Sequence, residues 1–225
     1  MPNVSVILPA AGSGKRFGAD ANKIFQPLAG RAIFLRSMDL FAGRDDVCQI
    51  LLVASAGDIA ELSERFGAEL ADLGAELVEG GAQRSDSVRN ALARLDDAAE
   101  LVCVHDAVRP CVLPGQVDAV FAAAAETGAA ILASPLHGTI KKVGESGKIL
   151  QTVDRQGLWE AQTPQVFDKV LLIEAYSLGG QATDDAETVQ RTGREVTVVQ
   201  SDSNNIKITT QADLAFAEAV IRSDR

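Results

Sequence analysis

Val4-Ser5-Val6-Ile7-Leu8-Pro9-Ala10-Ala11-Gly12-Ser13-Gly14-Lys15-Arg16-Phe17-Gly18 stands close to the start of the chain, with Lys23 shortly after it. The apolar run Val4 to Leu8 reads as a first strand. It breaks at Pro9 into a loop that carries Gly12, Gly14 and Gly18 beside the adjacent cations Lys15 and Arg16. Glycine lets a backbone approach a ligand closely, and successive exposed N–H groups form an anion-binding concavity. Lys15, Arg16 and Lys23 add full positive charge at the same place. Such a loop suits a triphosphate. A P-loop is excluded, because Arg16 follows Gly14-Lys15 and no glycine lies five residues before Gly14. The dinucleotide fingerprint is excluded too, because Phe17 holds its third glycine position. A plain glycine turn would not need three cations beside it.

Outside this loop the chain is acidic. Its 225 residues are 47% hydrophobic, enough for a sizeable core, and its formal net charge is −10. That balance argues against general nucleic-acid or anionic-membrane binding, which needs a basic face. Cys48, Cys103 and Cys111 lack metal-ligand spacing and read as thiols of a reducing compartment. No leader and no apolar run of membrane-spanning length is visible, so a cytoplasmic location is expected. Without a Pro/Ser-rich linker or a repeat, one domain over 1–225 is expected.

Apolar periodicity predicts strands at Gln49–Ala54, Glu76–Glu79, Leu101–Val104, Ala129–Ala133 and Val196–Val199. It predicts helices at Ala32–Phe41, Asp58–Phe66, Arg84–Leu95, Gln116–Thr127, Lys169–Ser177, Asp184–Arg191 and Ala212–Arg222, the last capped by Thr210 and Asp213. Lys23–Leu28 reads as extended. Alternation of strand and helix implies an α/β fold, a mainly parallel sheet flanked by helices. Ligands of such sheets bind beyond the carboxyl ends of the strands. The loops at Pro9, Gly80 and His105 therefore converge on one crevice. Residues 139–153 alternate around Gly144-Glu145-Ser146-Gly147, which signals a hairpin with polar sides. From the residues alone, a hairpin packed on another subunit and a solvated one stay equally open.

Four further segments can carry chemistry. Gly80-Gly81-Ala82-Gln83-Arg84-Ser85-Asp86-Ser87 joins a strand to a helix, either as a turn with a cap or as a small pocket that reads a base edge. His105-Asp106-Ala107-Val108-Arg109 follows a buried strand. A carboxylate there can hold phosphate-bound Mg²⁺, or Asp106 and Arg109 simply pair; His105 reads as structural. Thr183-Asp184-Asp185-Ala186-Glu187 reads first as a capped helix start. Asn204-Asn205-Ile206-Lys207-Ile208-Thr209 reads as a short strand with one cation, either a snorkelling edge residue or a buried charge facing an anion. Activated serine, Cys–His pair and zinc spacing are all lacking. Cations, glycines, one well-placed Asp and threonines fit phosphoryl or nucleotidyl transfer, where catalysis is positioning and charge neutralisation.

Pro9 to Arg16 with Lys23 resembles the opening of sugar-nucleotide-type nucleotidyltransferases. Adding Gly80–Val88, His105–Pro110, Thr139-Ile140-Lys141, Asp154-Arg155, Thr163-Pro164-Gln165 and Asn205-Ile206-Lys207, in that order, the chain is similar to the 2-C-methyl-D-erythritol 4-phosphate cytidylyltransferase family. The resemblance implies a Rossmann-like fold of nucleotide-diphospho-sugar transferase type, with a β-arm at about 136–156 that crosses to a second subunit of a homodimer. It implies CTP and a polyol phosphate as substrates, and Mg²⁺ as cofactor. Arg16 and Lys23 would meet the charge on the α-phosphate, with Arg155 and Lys207 completing the catalytic set. Ala10, Ala11, Gly12, Gly14, Lys15, Gly81, Ser87, Asp106 and Ala107 would bind the nucleotide, and Asp106 the metal. Arg109, Thr139, Thr163 and Thr183 would hold the acceptor, with Thr139 and Arg155 serving the neighbouring site. Ala82 and Asn204 depart from the pattern, each where an acidic residue can stand. A cytidylyltransferase for another polyol phosphate, such as ribitol 5-phosphate, and a non-catalytic nucleotide-binding module are the competing readings.

Overall fold

The computed structural model describes residues 2–12 and 22–223. The first strand, β1 (Val4–Pro9), runs through the middle of the molecule. Val4, Val6 and Leu8 enter one apolar core and Ile7 the other, as the two-residue period of a strand buried on both faces requires. Next come a short hairpin, β2 (Pro27–Leu28) and β3 (Arg31–Ala32), then α1 (Ile33–Asp39), β4 (Val47–Ala54), α2 (Ala56–Asp72), β5 (Ala75–Glu79), α3 (Arg84–Leu92), β6 (Leu101–Val104), α4 (Pro114–Thr127) and β7 (Ala129–Pro135). The arm is β8 (Ile140–Val143) and β9 (Ile149–Val153). The chain returns through β10 (Trp159–Asp168), α5 (Lys169–Ser177), α6 (Asp185–Gln190), β11 (Thr197–Gln200) and α7 (Gln211–Ser223).

Seven strands form one sheet in the order β11-β7-β10-β6-β1-β4-β5. All neighbours are parallel except β10, which runs antiparallel to both β6 and β7. Buried residues of α1, α2, α4 and α7 pack on one face, and those of α3, α5 and α6 on the other. The α/β expectation holds. Chain order reverses beside β1: β4 and β5 lie to one side, β6 to the other. The carboxyl ends there open the crevice that such a switch point provides.

Four readings need correction. Helix α2 runs on past Phe66 to Asp72, because Leu70 is buried in the core and that burial outweighs the roughly 1 kcal/mol cost of Gly67 within a helix. Lys23–Phe25 winds into a 3₁₀ turn instead of extending, and the Asn22 side-chain oxygen accepts the Ile24 N–H at 3.4 Å. Residues 205–209 form no strand. Their alternation arises because they lie along the 105–109 loop, with the Ile208 N–H donating to the Val108 carbonyl at 2.9 Å. The arm is less polar than expected, since Val143, Ile149 and Leu150 are 52%, 63% and 63% exposed.

At the end of β6, His105 is fully buried against the Phe41 ring and its Nε2 lies 3.0 Å from the Arg109 carbonyl. Desolvation lowers its pKa from 6.5 to about 4. Between these values the unfolded chain takes up a proton that the folded chain refuses. Stability is therefore complete above pH 6.5, falls as pH drops toward 4, and loses nothing further from this group below that. The expected loss is on the order of 3 kcal/mol. Urea unfolding of the wild type and His105→Gln across this window measures it, and the variant should show the shallower pH dependence.

Candidate active site

A cleft of about 540 Å³ opens beyond β1, β5 and β6, lined by Pro9 to Gly12, Lys23, Gly81 to Arg84, Ser87, Asp106, Lys207 and Thr209 among others. The three predicted loops meet there. The Ala10 N–H donates to the Val53 carbonyl at 2.7 Å and the Gly80 N–H to the Ala54 carbonyl at 2.8 Å. Both loops thus begin as continuations of sheet pairing.

On the glycine side, the Gly81 N–H donates to Ser87 Oγ at 3.1 Å, and that hydroxyl donates to the Gln83 carbonyl at 3.1 Å. The Gln83 N–H donates to Asp86 Oδ2 at 3.1 Å, fixing the start of α3. The stretch is a capped turn that also walls the cleft. The space is tight. A Cβ on Gly80 would lie 2.9 Å from the Ala11 Cβ, and one on Gly81 would lie 2.3 Å from the Asp86 Cβ.

On the opposite side stands Asp106. Its N–H donates to Thr163 Oγ1 at 3.0 Å, and that hydroxyl also lies 3.1 Å from His105 Nδ1. Three cations surround its carboxylate: Lys207 Nζ at 2.8 Å, Arg84 Nε at 3.3 Å and Arg109 Nε at 3.6 Å. Burial alone would raise the Asp106 pKa. The fields of Arg84, Lys207 and Arg109 overcome it and hold the group well below the carboxylate range.

The segment behind Lys207 is pinned at several points. The Asn205 amide donates to the Gln162 Oε1 at 2.9 Å and the Thr163 carbonyl at 3.0 Å, and the Asn205 carbonyl accepts Arg109 Nη1 at 2.6 Å. Lys23 Nζ donates to the Ile208 carbonyl at 3.1 Å, which brings Lys23 and Lys207 to the same wall. Beyond it, Asp213 accepts the N–H groups of Thr209 and Thr210 and receives the cap reciprocally, its N–H donating to Thr210 Oγ1 at 3.2 Å.

Ala10, Ala11, Gly12, Gly81, Ser87, Asp106, Lys23 and Lys207 are thereby brought together. Gly14, Lys15 and Arg16 lie outside the described residues. Ala107 stands behind the wall, its N–H bonded to the Pro9 carbonyl and its carbonyl to the Ser37 hydroxyl. Thr163 and Arg109 support Asp106 from beneath. Thr183 is exposed beside α6, with both its N–H and its hydroxyl donating to Glu187. Thr139 and Arg155 are on the arm, apart from the cleft of their own chain, and Arg155 donates to the His137 carbonyl.

Two residues escaped the sequence reading. Arg84 bridges Asp106 to Asp185, whose carboxylate lies 2.8 Å from Arg84 Nη2 and is 0% exposed. Asp185 is thus more than a dipole-opposing acid of α6. A sequence separation of 101 leaves no local signal for the pair.

The donor set bears on the metal. Asp106 is the one acidic residue among the described residues of the cleft wall, and no group of three potential protein ligands occurs among the described residues. Asn204 is exposed and adds no carboxylate, while nearby Asp202 accepts the Asn204 N–H. One hard oxygen ligand fits Mg²⁺, which is held by one or two carboxylates together with substrate phosphates.

Comparison with known proteins gives one consistent result. A family model described as 2-C-methyl-D-erythritol 4-phosphate cytidylyltransferase matches residues 4–223. A relative of that name from Rhodopirellula baltica is 44% identical over 99% of this chain and 96% of its own. Another from Bacillus licheniformis is 36% identical over 99% and 97%. The crystal structure of the protein of that name from Thermus thermophilus superposes with a TM-score of 0.82 at 34% identity, covering 98% of this chain and 99% of that one.

Gly81→Ala tests how closely the wall is built. Its Cβ would force the first turn of α3 to shift, so a stability loss of about 1–3 kcal/mol is expected in urea unfolding, together with weaker nucleotide binding by titration calorimetry.

Proposed function

The chain belongs to the 2-C-methyl-D-erythritol 4-phosphate cytidylyltransferase family, and from that premise we propose how its residues divide the work of the reaction. The enzyme converts CTP and 2-C-methyl-D-erythritol 4-phosphate to CDP-methylerythritol and pyrophosphate, in isoprenoid precursor synthesis. An acceptor phosphate oxygen bonds to the α-phosphorus as the bond from that phosphorus to the α–β bridging oxygen breaks, and pyrophosphate leaves. A phosphomonoester has its second pKa near 6 and is ionised at pH 7, so no general base is required.

The observation that carries the assignment of roles is the cation cluster around Asp106, facing a glycine-walled cleft in an otherwise acidic chain. In our reading Lys23 and Arg16 meet the charge that grows on the α-phosphate. Ala10, Ala11, Gly12, Gly81 and Ser87 receive the nucleotide, with Gly14 and Lys15 on its phosphates. Ala107 acts by fixing the loop. Lys207 turns from Asp106 toward the acceptor phosphate. Arg109 and Thr163 hold the Asp106 loop beneath the acceptor, and Thr183 closes its far side. Asp106 would share Mg²⁺ with the triphosphate, where the ion supplies charge neutralisation and alignment of the phosphates.

The remaining parts rest on the arm and the thiols. The chain acts as a single nucleotidyltransferase domain with an arm at about 136–156. The exposed Val143, Ile149 and Leu150 support an arm laid on a second copy, where Thr139 and Arg155 serve the partner's site. Among the described residues no helix is long and apolar enough to cross a membrane. The free cysteines fit the reducing cytoplasm.

Pyrophosphate release is to be measured with Mg²⁺ and methylerythritol 4-phosphate, in parallel with CTP, UTP, ATP and GTP, and then with ribitol 5-phosphate as acceptor. CTP and the methylerythritol phosphate should be strongly preferred; preference for ribitol phosphate would overturn the acceptor assignment. Lys23→Ala should lower kcat on the order of 100-fold or more and weaken CTP binding far less. Equal loss of CTP affinity with kcat intact would make Lys23 a binding residue only. Inactive Arg155→Ala and Lys23→Ala subunits should regain part of the activity when mixed into heterodimers. Verified heterodimers without activity would exclude the arm acting in trans.

A further inference from the structure

Asp185 is a fully buried acid to which the reaction above gives no role, and it stands at the centre of a small network. Tyr176, 5% exposed near the end of α5, donates its hydroxyl to Asp185 Oδ1. Burial and the Asp185 charge both push the Tyr176 pKa up, so the phenol keeps its proton and remains the donor. Asp185 Oδ2 takes Arg84 Nη2 at 2.8 Å. Arg84 then extends Nε to Asp106 Oδ1 at 3.3 Å and lines the cleft. The neighbours of Asp185 are fixed in turn: Asp184 caps α6 and takes the Gln165 amide at 3.0 Å, and the Ala186 N–H donates to Gln165 Oε1 at 2.9 Å. One line of bonds therefore runs from the helices on one face of the sheet to the carboxylate at the end of β6.

The three cations on Asp106 are unequal. Lys207 is 40% exposed, on a long flexible stem, and makes the close contact at 2.8 Å. An ammonium of this kind is a point charge that turns readily toward a competing anion. Arg109 Nε stands at 3.6 Å, beyond hydrogen-bond distance, while its Nη1 is committed to the Asn205 carbonyl. Of the three, Arg84 presents a planar guanidinium held at a second point by a buried acid. When substrate phosphates enter and Lys207 turns to them, Asp106 loses its closest partner. Arg84 and Arg109 stay, and of these Arg84 is the one whose guanidinium reaches the carboxylate within hydrogen-bond distance.

We infer that Arg84, clamped by Asp185 and Tyr176, is the positioning residue that keeps Asp106 in place while Lys207 exchanges to the substrate. The inference deepens the functional reading above and rests on it. Arg84 contributes through Asp106, and its loss shows in turnover more than in affinity for CTP. Asp185 contributes through Arg84.

The test separates positioning from stability. Arg84→Gln leaves the buried Asp185 carboxylate without its cation, and Asp185→Asn leaves Arg84 with Asp106 as its remaining acid, so each should lower Tm. The double variant Arg84→Gln/Asp185→Asn is again charge-balanced, so much of the lost Tm should return. Its kcat should not return, staying on the order of 30-fold below wild type, the scale of a slightly misplaced group in a reacting site. The dissociation constant for CTP, by titration calorimetry with Mg²⁺, should change by less than about threefold, because in this proposal Arg84 acts through Asp106 and not on the nucleotide. Recovery of kcat together with Tm in the double variant would overturn the inference, since Arg84 would then be a structural residue. A fall in CTP affinity as large as the fall in kcat/KM, with kcat intact, would also overturn it, making Arg84 a binding group. Should the double variant fail to fold, Tyr176→Phe decides, because it removes one hydroxyl and leaves both charges. A kcat at least about threefold lower at unchanged CTP affinity supports the clamp, and an unchanged kcat overturns it. Wild-type protein that releases no pyrophosphate from CTP would refute the functional reading itself, before any variant is made.

Discussion

One carboxylate, Asp106, organises the cleft. It is 6% exposed at the end of a fully buried strand, and burying an unpaired charge there would be prohibitive. Its presence requires the cations that surround it. Arg84 arrives from the start of α3, Arg109 from the turn after β6, and Lys207 from the segment before α7. The Arg84 and Lys207 pairs gather pieces of chain distant in sequence onto the same wall, and the Arg109 pair closes the local turn. A buried ion cluster is seldom the most stable filling for a site. Its value here lies in what it leaves behind: more positive than negative charge around a cavity of nucleotide-binding size, in a protein whose net charge is −10.

The fold makes that concentration possible. Parallel strands β1, β5 and β6 end on one side of the sheet, so their loops share a rim. The first hydrogen bonds of two of those loops extend the sheet itself. Helix α3 begins directly after the Gly80-Gly81 turn, and its first residue is Arg84. A longer loop there would carry the guanidinium away from both of its acids. The close approach of Gly81 to Asp86 therefore serves the electrostatics as well as the shape of the pocket.

Where local pattern determined structure, the sequence was legible. Leu101–Val104 and Lys169–Ser177 have in the structure the limits that their apolar periods and flanking residues indicate. The glycine and cation content of the first loop pointed to a phosphate without reference to any fold. Illegibility began where partners are far apart. Arg84 reads as an ordinary polar residue of a helix start, and Asp185 as one acid among three; only the folded sheet sets them 2.8 Å apart. The 205–209 segment misled for a related reason. It alternates like a strand because one side packs on the 105–109 loop, yet its amide pairs with that loop and not with a sheet neighbour. Periodicity records which side is covered, and is silent on what covers it.

The arm is the same lesson in reverse. Its two strands pair only with each other, and an isolated two-stranded ribbon is marginal in water. Lys141 Nζ bonds Thr152 Oγ1 across it at 2.7 Å, and the Leu136 N–H closes its base on the Leu158 carbonyl at 3.1 Å. These contacts keep the ribbon extended, but they bury little. Val143, Ile149 and Leu150 stay mostly in water, with Leu158 and Trp159 half-covered at the root. A hairpin that served only to connect β7 with β10 would need neither that length nor those side chains. Burying the apolar residues at about 25 cal/mol per Å² would supply the stabilisation that the ribbon lacks by itself. If the arm is laid on a second copy, as proposed, that burial would come from the partner, and Thr139 and Arg155 would serve a site other than their own chain's.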